Sequence, residues 1–276
     1  MLLAIAVGAA SAFGDVKKDI EYEKAGDVSL KLDVNVPDGD GDGPFPVAIL
    51  VHGGGWSTGD KAGLFHIPTE ALTKANFVWF SINYRLAPKY RWPACFEDTQ
   101  TAIRWVKAHA AEYKGDPGRI GLMGYSAGGQ LACLAACLAD DSTRVQAVVG
   151  LAPPTDLELD LPQRGGLSAS LQGLLDQPHE VTDDSRKELQ AMSAINFVKA
   201  GLPPFLIMQG DADRSVPYQG SVNFIAKLRS VGVECEFITL KNGVHNIAKW
   251  PAADSGFEQK YCDWLSKKLS AATTRP

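Results

Sequence analysis

The chain has 276 residues, 45% hydrophobic and 21% charged, with a net charge of −5. A chain of this length buries roughly 70–75% of its unfolded surface, enough for one large core, and the composition excludes wholesale disorder. The acidic balance, without any block of like charge, argues against nucleic acid or an anionic membrane surface as the main partner.

The chain opens on the apolar run MLLAIAVGAASAFGD. Residues 2–10 form a hydrophobic region, and Ala10-Ser11-Ala12 has the small-residue pattern of a cleavage site, though no Lys or Arg stands before it. We expect residues 1–12 to be a signal peptide, the protein to be secreted or periplasmic, and residues 13–276 to form a single domain. No other segment approaches transmembrane length, so no membrane span is expected.

An alternating stretch, Val28 to Val36, reads as antiparallel strand at a sheet edge. The runs Val47–Val51, Phe77–Ile82, Ile120–Met123, Ala147–Leu151, Phe205–Met208 and Glu236–Leu240 follow. Most are apolar at nearly every position, the habit of parallel strands buried on both faces. Helical patterns lie between them. Phe96, Ile103, Val106 and Ala110 share one face of a helix over 95–113. Val222, Ile225, Ala226 and Leu228 mark a second, ended by Gly232, and Tyr261, Trp264, Leu265 and Leu269 a C-terminal third. Alternating strands and helices predict an α/β fold with a mainly parallel central sheet flanked by helices. The segment 153–196, with Pro153-Pro154, Gly165-Gly166 and mixed charge, breaks this rhythm and reads as a small lid or pocket wall. The five cysteines form neither a CxxC pair nor a zinc-finger spacing. Cys133 and Cys137, four apart in an Ala/Leu-rich run, read as buried small side chains on one helix face.

Gly124-Tyr125-Ser126-Ala127-Gly128 carries the spacing G-x-S-x-G, after a buried strand and before a helix. That context puts a serine on a tight turn with its Oγ exposed, a nucleophile's position. His52-Gly53-Gly54-Gly55 follows an earlier strand, where glycines let backbone N–H groups approach an oxyanion closely. Gly53 and Gly54 are the candidate donors, Gly54 the better of the two, with the N–H of Ala127 after the nucleophile. His52 is expected to orient this loop rather than act as a base. The chain order Ser, acid, His required on such a sheet leaves Asp211 or Asp213 as the acid. Asp213 is preferred, with Asp211 bracing the turn. His245 is the sole histidine after them. His66, His109 and His179 precede the acid and read as surface or lid residues. Ser126 would attack, His245 would shuttle its proton, and Asp213 would fix the tautomer. No metal and no organic cofactor is required.

These pieces, with GDK at 59–61, INYRLAP at 82–88, WPA at 92–94, SAIN at 193–196 and GVHN at 243–246, resemble an α/β-hydrolase serine esterase. The chain is similar to the alpha/beta-hydrolase-3 and hormone-sensitive-lipase-like kind, and most of all to bacterial bifunctional acetylxylan/feruloyl carbohydrate esterases. Two features depart from the hormone-sensitive-lipase pattern: Tyr125 stands where GDSAGG has Asp, and the acid lies in GDADRSVP. Both are similar to the carbohydrate-esterase branch and to prolyl-oligopeptidase-like catalytic domains; the aligned positions of the carbohydrate-esterase branch imply the triad Ser126, Asp213 and His245. The resemblance implies hydrolysis of acyl esters, on small molecules or on acylated plant polysaccharide. Trp56 and Tyr125, with Tyr84 and Trp92 further out, are candidates for stacking on a sugar or an aromatic acyl group. A general short-chain carboxylesterase is the main alternative. A peptidase or formamidase on the same fold, and a non-catalytic binding module, are weaker ones.

Overall fold

The computed structural model describes residues 15–37, 43–63 and 67–270. The expected signal peptide and His66 lie outside these residues. The strands are β1 (Asp15–Ala25), β2 (Val28–Val36), β3 (Phe45–Val51), β4 (Val78–Ile82), β5 (Gly115–Tyr125), β6 (Ala147–Leu151), β7 (Phe205–Gly210) and β8 (Cys235–Leu240). They form one sheet in the order β1-β2-β4-β3-β5-β6-β7-β8. β1 pairs with β2, and β2 with β4, antiparallel; every later pairing is parallel. The strand read from Val28 to Val36 is therefore not the edge. β1 covers it, through a pairing interrupted by two register shifts.

The described residues also form nine α-helices, besides three short 3-10 turns: α1 (Glu70–Lys74), α2 (Ala94–His109), α3 (Ala127–Cys137), α4 (Leu161–Arg164), α5 (Ala169–Leu175), α6 (Asp183–Met192), α7 (Tyr218–Ser230), α8 (Trp250–Ala253) and α9 (Phe257–Lys268). α2, α3 and α7 cover one face of the sheet, where Ile103, Val106, Leu131 and Phe224 pack against β3, β5 and β7. α1, α8 and α9 cover the other, with Leu72, Trp250, Phe257 and Tyr261 against Leu50, Met123 and Leu206. Both faces being buried is the reason the central strands are apolar without alternation. All eleven residues of α3 are buried, Cys133 and Cys137 among them, so this helix runs through the core. No helix among the described residues is long and apolar enough to cross a membrane.

β3, β5, β6, β7 and β8 run parallel, so their C-terminal ends meet along one edge of the sheet. The loops leaving those ends carry His52–Gly55, Ser126, the 153–196 segment, Asp213 and His245. Open α/β sheets bind their ligands at this edge.

Candidate active site

Ser126 sits between β5 and α3 at φ 53°, ψ −119°, a strained backbone for a residue with a side chain. The turn holds because its N–H donates to the Leu151 carbonyl at 2.9 Å and because its neighbours lack Cβ atoms. A Cβ on Gly124 would lie 2.0 Å from the Gly128 oxygen, and one on Gly128 2.2 Å from that of Val51. The two glycines of the motif thus allow helix and strands to cross at contact distance.

Ser126 Oγ lies 2.9 Å from His245 Nε2, and His245 Nδ1 lies 2.8 Å from Asp213 Oδ2. The Asp213 side chain is shielded from solvent, while that of His245 is 21% exposed. Asp213 Oδ1 accepts from Ser215 N at 2.8 Å and Val216 N at 3.0 Å, and Oδ2 also accepts from Gln209 Nε2 at 3.2 Å. Burial raises the carboxyl's pKa; the hydrogen bond and charge of His245 and the two N–H donors outweigh it and hold the group below its ordinary value. Asp213 therefore stays ionised and keeps His245 Nδ1 protonated, leaving Nε2 free to accept from Ser126. Asp211 faces away and braces the neighbouring loop, through Asn242 N at 2.6 Å and Lys241 Nζ at 2.8 Å.

The loop after β3 turns at Gly54, φ +114°, and Gly55, φ +59°. Gly54, Gly55 and Ala127 line the cleft. Gly53 is not among the cleft-lining residues, and a Cβ on it would lie 2.8 Å from Tyr125 Cδ1. Ala127 is the first residue of α3, where backbone N–H groups have no partner inside the helix and the helix dipole favours negative charge. His52 is buried, stacks on Tyr84 with centroids 4.3 Å apart, and bonds the Gly53 carbonyl through Nδ1 at 2.7 Å. Burial pushes its pKa down to about 4, so it is a neutral brace of this loop.

The cleft beside Ser126 has a volume of about 550 Å³. The 153–196 segment supplies much of its wall, through Pro154, Leu157, Leu161, Ser168 and Leu171. α5 approaches the loop after β3 closely, since a Cβ on Gly55 would lie 2.8 Å from Ser170 Oγ. Trp56 and Tyr125 both reach the cleft but are held by the protein. Trp56 is 5% exposed and donates from Nε1 to Gln130 Oε1 at 3.0 Å. Tyr125 donates to the His245 carbonyl at 2.8 Å and accepts from Ile247 N at 3.3 Å, and burial lifts its pKa to about 12. Tyr84, buried against His52, and Trp92, packed on Phe96, do not line the cleft. His109 bonds the Trp105 carbonyl and His179 the Leu167 carbonyl within the 153–196 segment.

Two further positioning residues belong to no motif in the sequence. Gln209, fully buried at the end of β7, donates to Asp213 and to the Val216 carbonyl and accepts from Ser221, which fixes the acid's loop. Trp250 Nε1 donates to the Val244 carbonyl at 2.9 Å and anchors the histidine's loop. A polar residue closing an otherwise apolar strand is the available hint for Gln209.

A serine on a strand-to-helix elbow, followed along the chain by an acid and a histidine at the same sheet edge, defines an α/β-hydrolase fold. The chain belongs to the BD-FAE family, whose model matches residues 32–228. It is 36% identical over 227 residues to the probable carboxylic ester hydrolase LipM of Mycobacterium tuberculosis, covering 77% of this chain and 52% of that protein. The chain thus spans about half the length of the curated relatives it matches. A truncated carbohydrate esterase from gut microbiota superposes with a TM-score of 0.81 at 25% identity, over 95% of this chain and 99% of that one. A thermophilic esterase of Thermogutta terrifontis with bound butyrate superposes at 0.75, also at 25% identity, over 95% and 96%.

Proposed function

We propose that this protein is a carboxylic ester hydrolase that works through an acyl-enzyme on Ser126. The hydrogen-bonded chain from Ser126 Oγ through His245 to the shielded Asp213 carries this reading. Ser126 Oγ attacks the ester carbonyl while His245 Nε2 takes its proton. The carbonyl oxygen becomes an oxyanion between the N–H groups of Gly54 and Ala127, with Gly53 shaping the loop behind them. The tetrahedral intermediate expels the alcohol, which takes its proton from His245. Water, activated by the same imidazole, then releases the acid and restores Ser126.

For the substrate, we propose acylated plant polysaccharide, with acetyl groups on xylan or feruloyl groups on its side chains. The likeness to a carbohydrate esterase and a cleft larger than an acetyl group needs support this reading. The likeness to LipM, and to an esterase with bound butyrate, supports a second one, a general short-chain carboxylesterase. Such a role on extracellular polysaccharide fits the proposal that residues 1–12 direct export and residues 13–276 form the catalytic domain.

Acid release from acetylated xylan and methyl ferulate, with wild type beside Ser126→Ala and 4-nitrophenyl acetate as control, tests both readings. Release from xylan or ferulate by wild type alone supports the polysaccharide reading. Cleavage of the nitrophenyl ester alone favours the general esterase, and no cleavage by wild type rejects the hydrolase assignment.

A further inference from the structure

The catalytic cleft opens into a second cavity of about 350 Å³. Asp160, Arg164, Arg214 and Pro217 belong to both, and Gln163 and Asp213 complete the smaller one. Its lining is polar except at Pro217, which suits a hydroxylated or charged part of a ligand rather than an apolar one.

The charged groups there differ in availability. Arg164 is committed to Asp160, with Nε at 2.9 Å from Oδ2 and Nη2 on the same oxygen, so this pair cancels. Asp213 is shielded, and its two oxygens already take four donors. Arg214 is exposed and, among the described residues, has no hydrogen-bond or ion-pair partner. The remaining carboxylate nearby, Asp156, lines the main cleft and not the smaller cavity. Arg214 is therefore a guanidinium at the junction of the two cavities, with its fork of N–H donors unused. That fork matches a planar or tetrahedral oxyanion, and on an ester of a sugar or a diacid the oxyanion at hand is a carboxylate.

We propose that the smaller cavity is a carboxylate subsite, with Arg214 receiving an acidic group on the ester that Ser126 cleaves. This rests on the hydrolase reading above. A carboxylate can come from the alcohol part, as in an acylated uronic-acid glycoside, or from the acyl part, as in a dicarboxylic half-ester. The polar lining favours the first. Arg214 would not touch the reacting atoms; it would set which esters are held in register with Ser126.

The test compares kcat/KM for acidic and neutral partners in two arms. One pairs O-acetyl methyl glucuronoside with O-acetyl methyl glucoside; the other pairs mono-4-nitrophenyl succinate with 4-nitrophenyl butyrate. In wild type the acidic-to-neutral ratio should exceed that of Arg214→Gln by about five- to tenfold in one arm, the size expected of a solvent-accessible charge-assisted contact. Arg214→Lys should restore part of the ratio, and added salt should compress it. The arm that responds identifies the source of the carboxylate. Ratios that are the same in wild type and Arg214→Gln in both arms would overturn the subsite. Calorimetric titration of methyl glucuronoside into Ser126→Ala, with and without Arg214→Gln, gives a readout independent of turnover. If wild type cleaves none of these esters, binding that weakens on loss of Arg214 would reject the hydrolase reading and keep the subsite.

Discussion

The carbonyl oxygen of Val51 stands 2.2 Å from the point a Cβ on Gly128 would occupy, with that of His52 at 2.3 Å. Both obstacles are backbone, so they cannot swing aside. Gly128→Ala should push α3 off the sheet, lower stability by about 2–3 kcal/mol through overpacking and reduce activity sharply. Gly220→Ala is the contrast, because its nearest neighbour would be Leu159 Cδ2 at an ordinary 3.5 Å. It should be neutral or stabilise by about 0.5–1 kcal/mol through helix propensity. Denaturant midpoints measure both; equal effects would contradict the packing described here.

Asp213 and Asp211 are two residues apart and do different work. Asp213→Asn removes the charge that fixes the His245 tautomer, so kcat/KM should fall by about 10³–10⁴ with little change in folding. Asp211→Asn disturbs contacts to Asn242 and the exposed Lys241. Its effect on kcat/KM should stay within about threefold, as expected of an exposed ion pair. The reverse ranking would move the acid to Asp211.

Burial of His52 makes stability depend on pH. In the unfolded chain this imidazole takes its proton near its ordinary 6.5; in the folded chain it does so only near 4. Between those values the unfolded state binds more protons, so stability falls as pH falls through this window. The full loss from this group is roughly 3 kcal/mol. Depressed carboxylates such as Asp213 add their own loss only as the pH approaches and passes below 3.8. Urea unfolding at pH 7, 5.5 and 4.5 should show the decline in wild type and a shallower one in His52→Gln. Parallel declines would contradict a buried neutral His52.

Trp56 illustrates a side chain that reaches the cleft yet belongs to the core. Trp56→Phe keeps an aromatic ring but loses the pyrrole half of the indole and the N–H that Gln130 accepts. Leaving that buried oxygen short of a donor should cost about 1–2 kcal/mol. Because Trp56 is 5% exposed, kcat/KM on any ester should change by no more than about threefold for lack of a stacking face. A large, substrate-dependent loss with unchanged stability would restore Trp56 as a sugar-stacking residue.

Most of the parallel sheet is visible in the sequence, because strands buried on both faces become unbroken apolar runs. β1 is not, for two physical reasons. It lies at the edge of the sheet and carries the charges of VKKDIEYEK, and its register shifts destroy the period of two. Asp19, at φ 59° within one shift, donates its N–H to Asp33 Oδ1 across the pair. The first part of β5 hides similarly behind Asp116-Pro117-Gly118, which reads as a turn. In the site, chain order and local context point to Ser126, Asp213 and His245, which the fold brings within hydrogen-bond reach of one another. They do not exclude Gly53 beside the preferred Gly54; in the structure Gly54 lines the cleft at a φ of +114°, and the Tyr125 ring lies close to Gly53. Nor do they find Gln209, Trp250 or the cleft wall from α4 and α5, which are positioned by contacts distant in sequence.

The most direct measurement asks whether Ser126 is the nucleophile. Wild type and Ser126→Ala would be treated with paraoxon, and the modified peptide located by mass spectrometry. Attack by Ser126 Oγ on phosphorus expels 4-nitrophenolate and leaves a diethylphosphoryl group on the serine. The arrangement of Ser126, His245 and Asp213 predicts one such group, on Ser126, with loss of esterase activity in proportion and no labelling of Ser126→Ala. A label on another residue that tracks inactivation, or a Ser126→Ala variant that still hydrolyses esters at the wild-type rate, would contradict it.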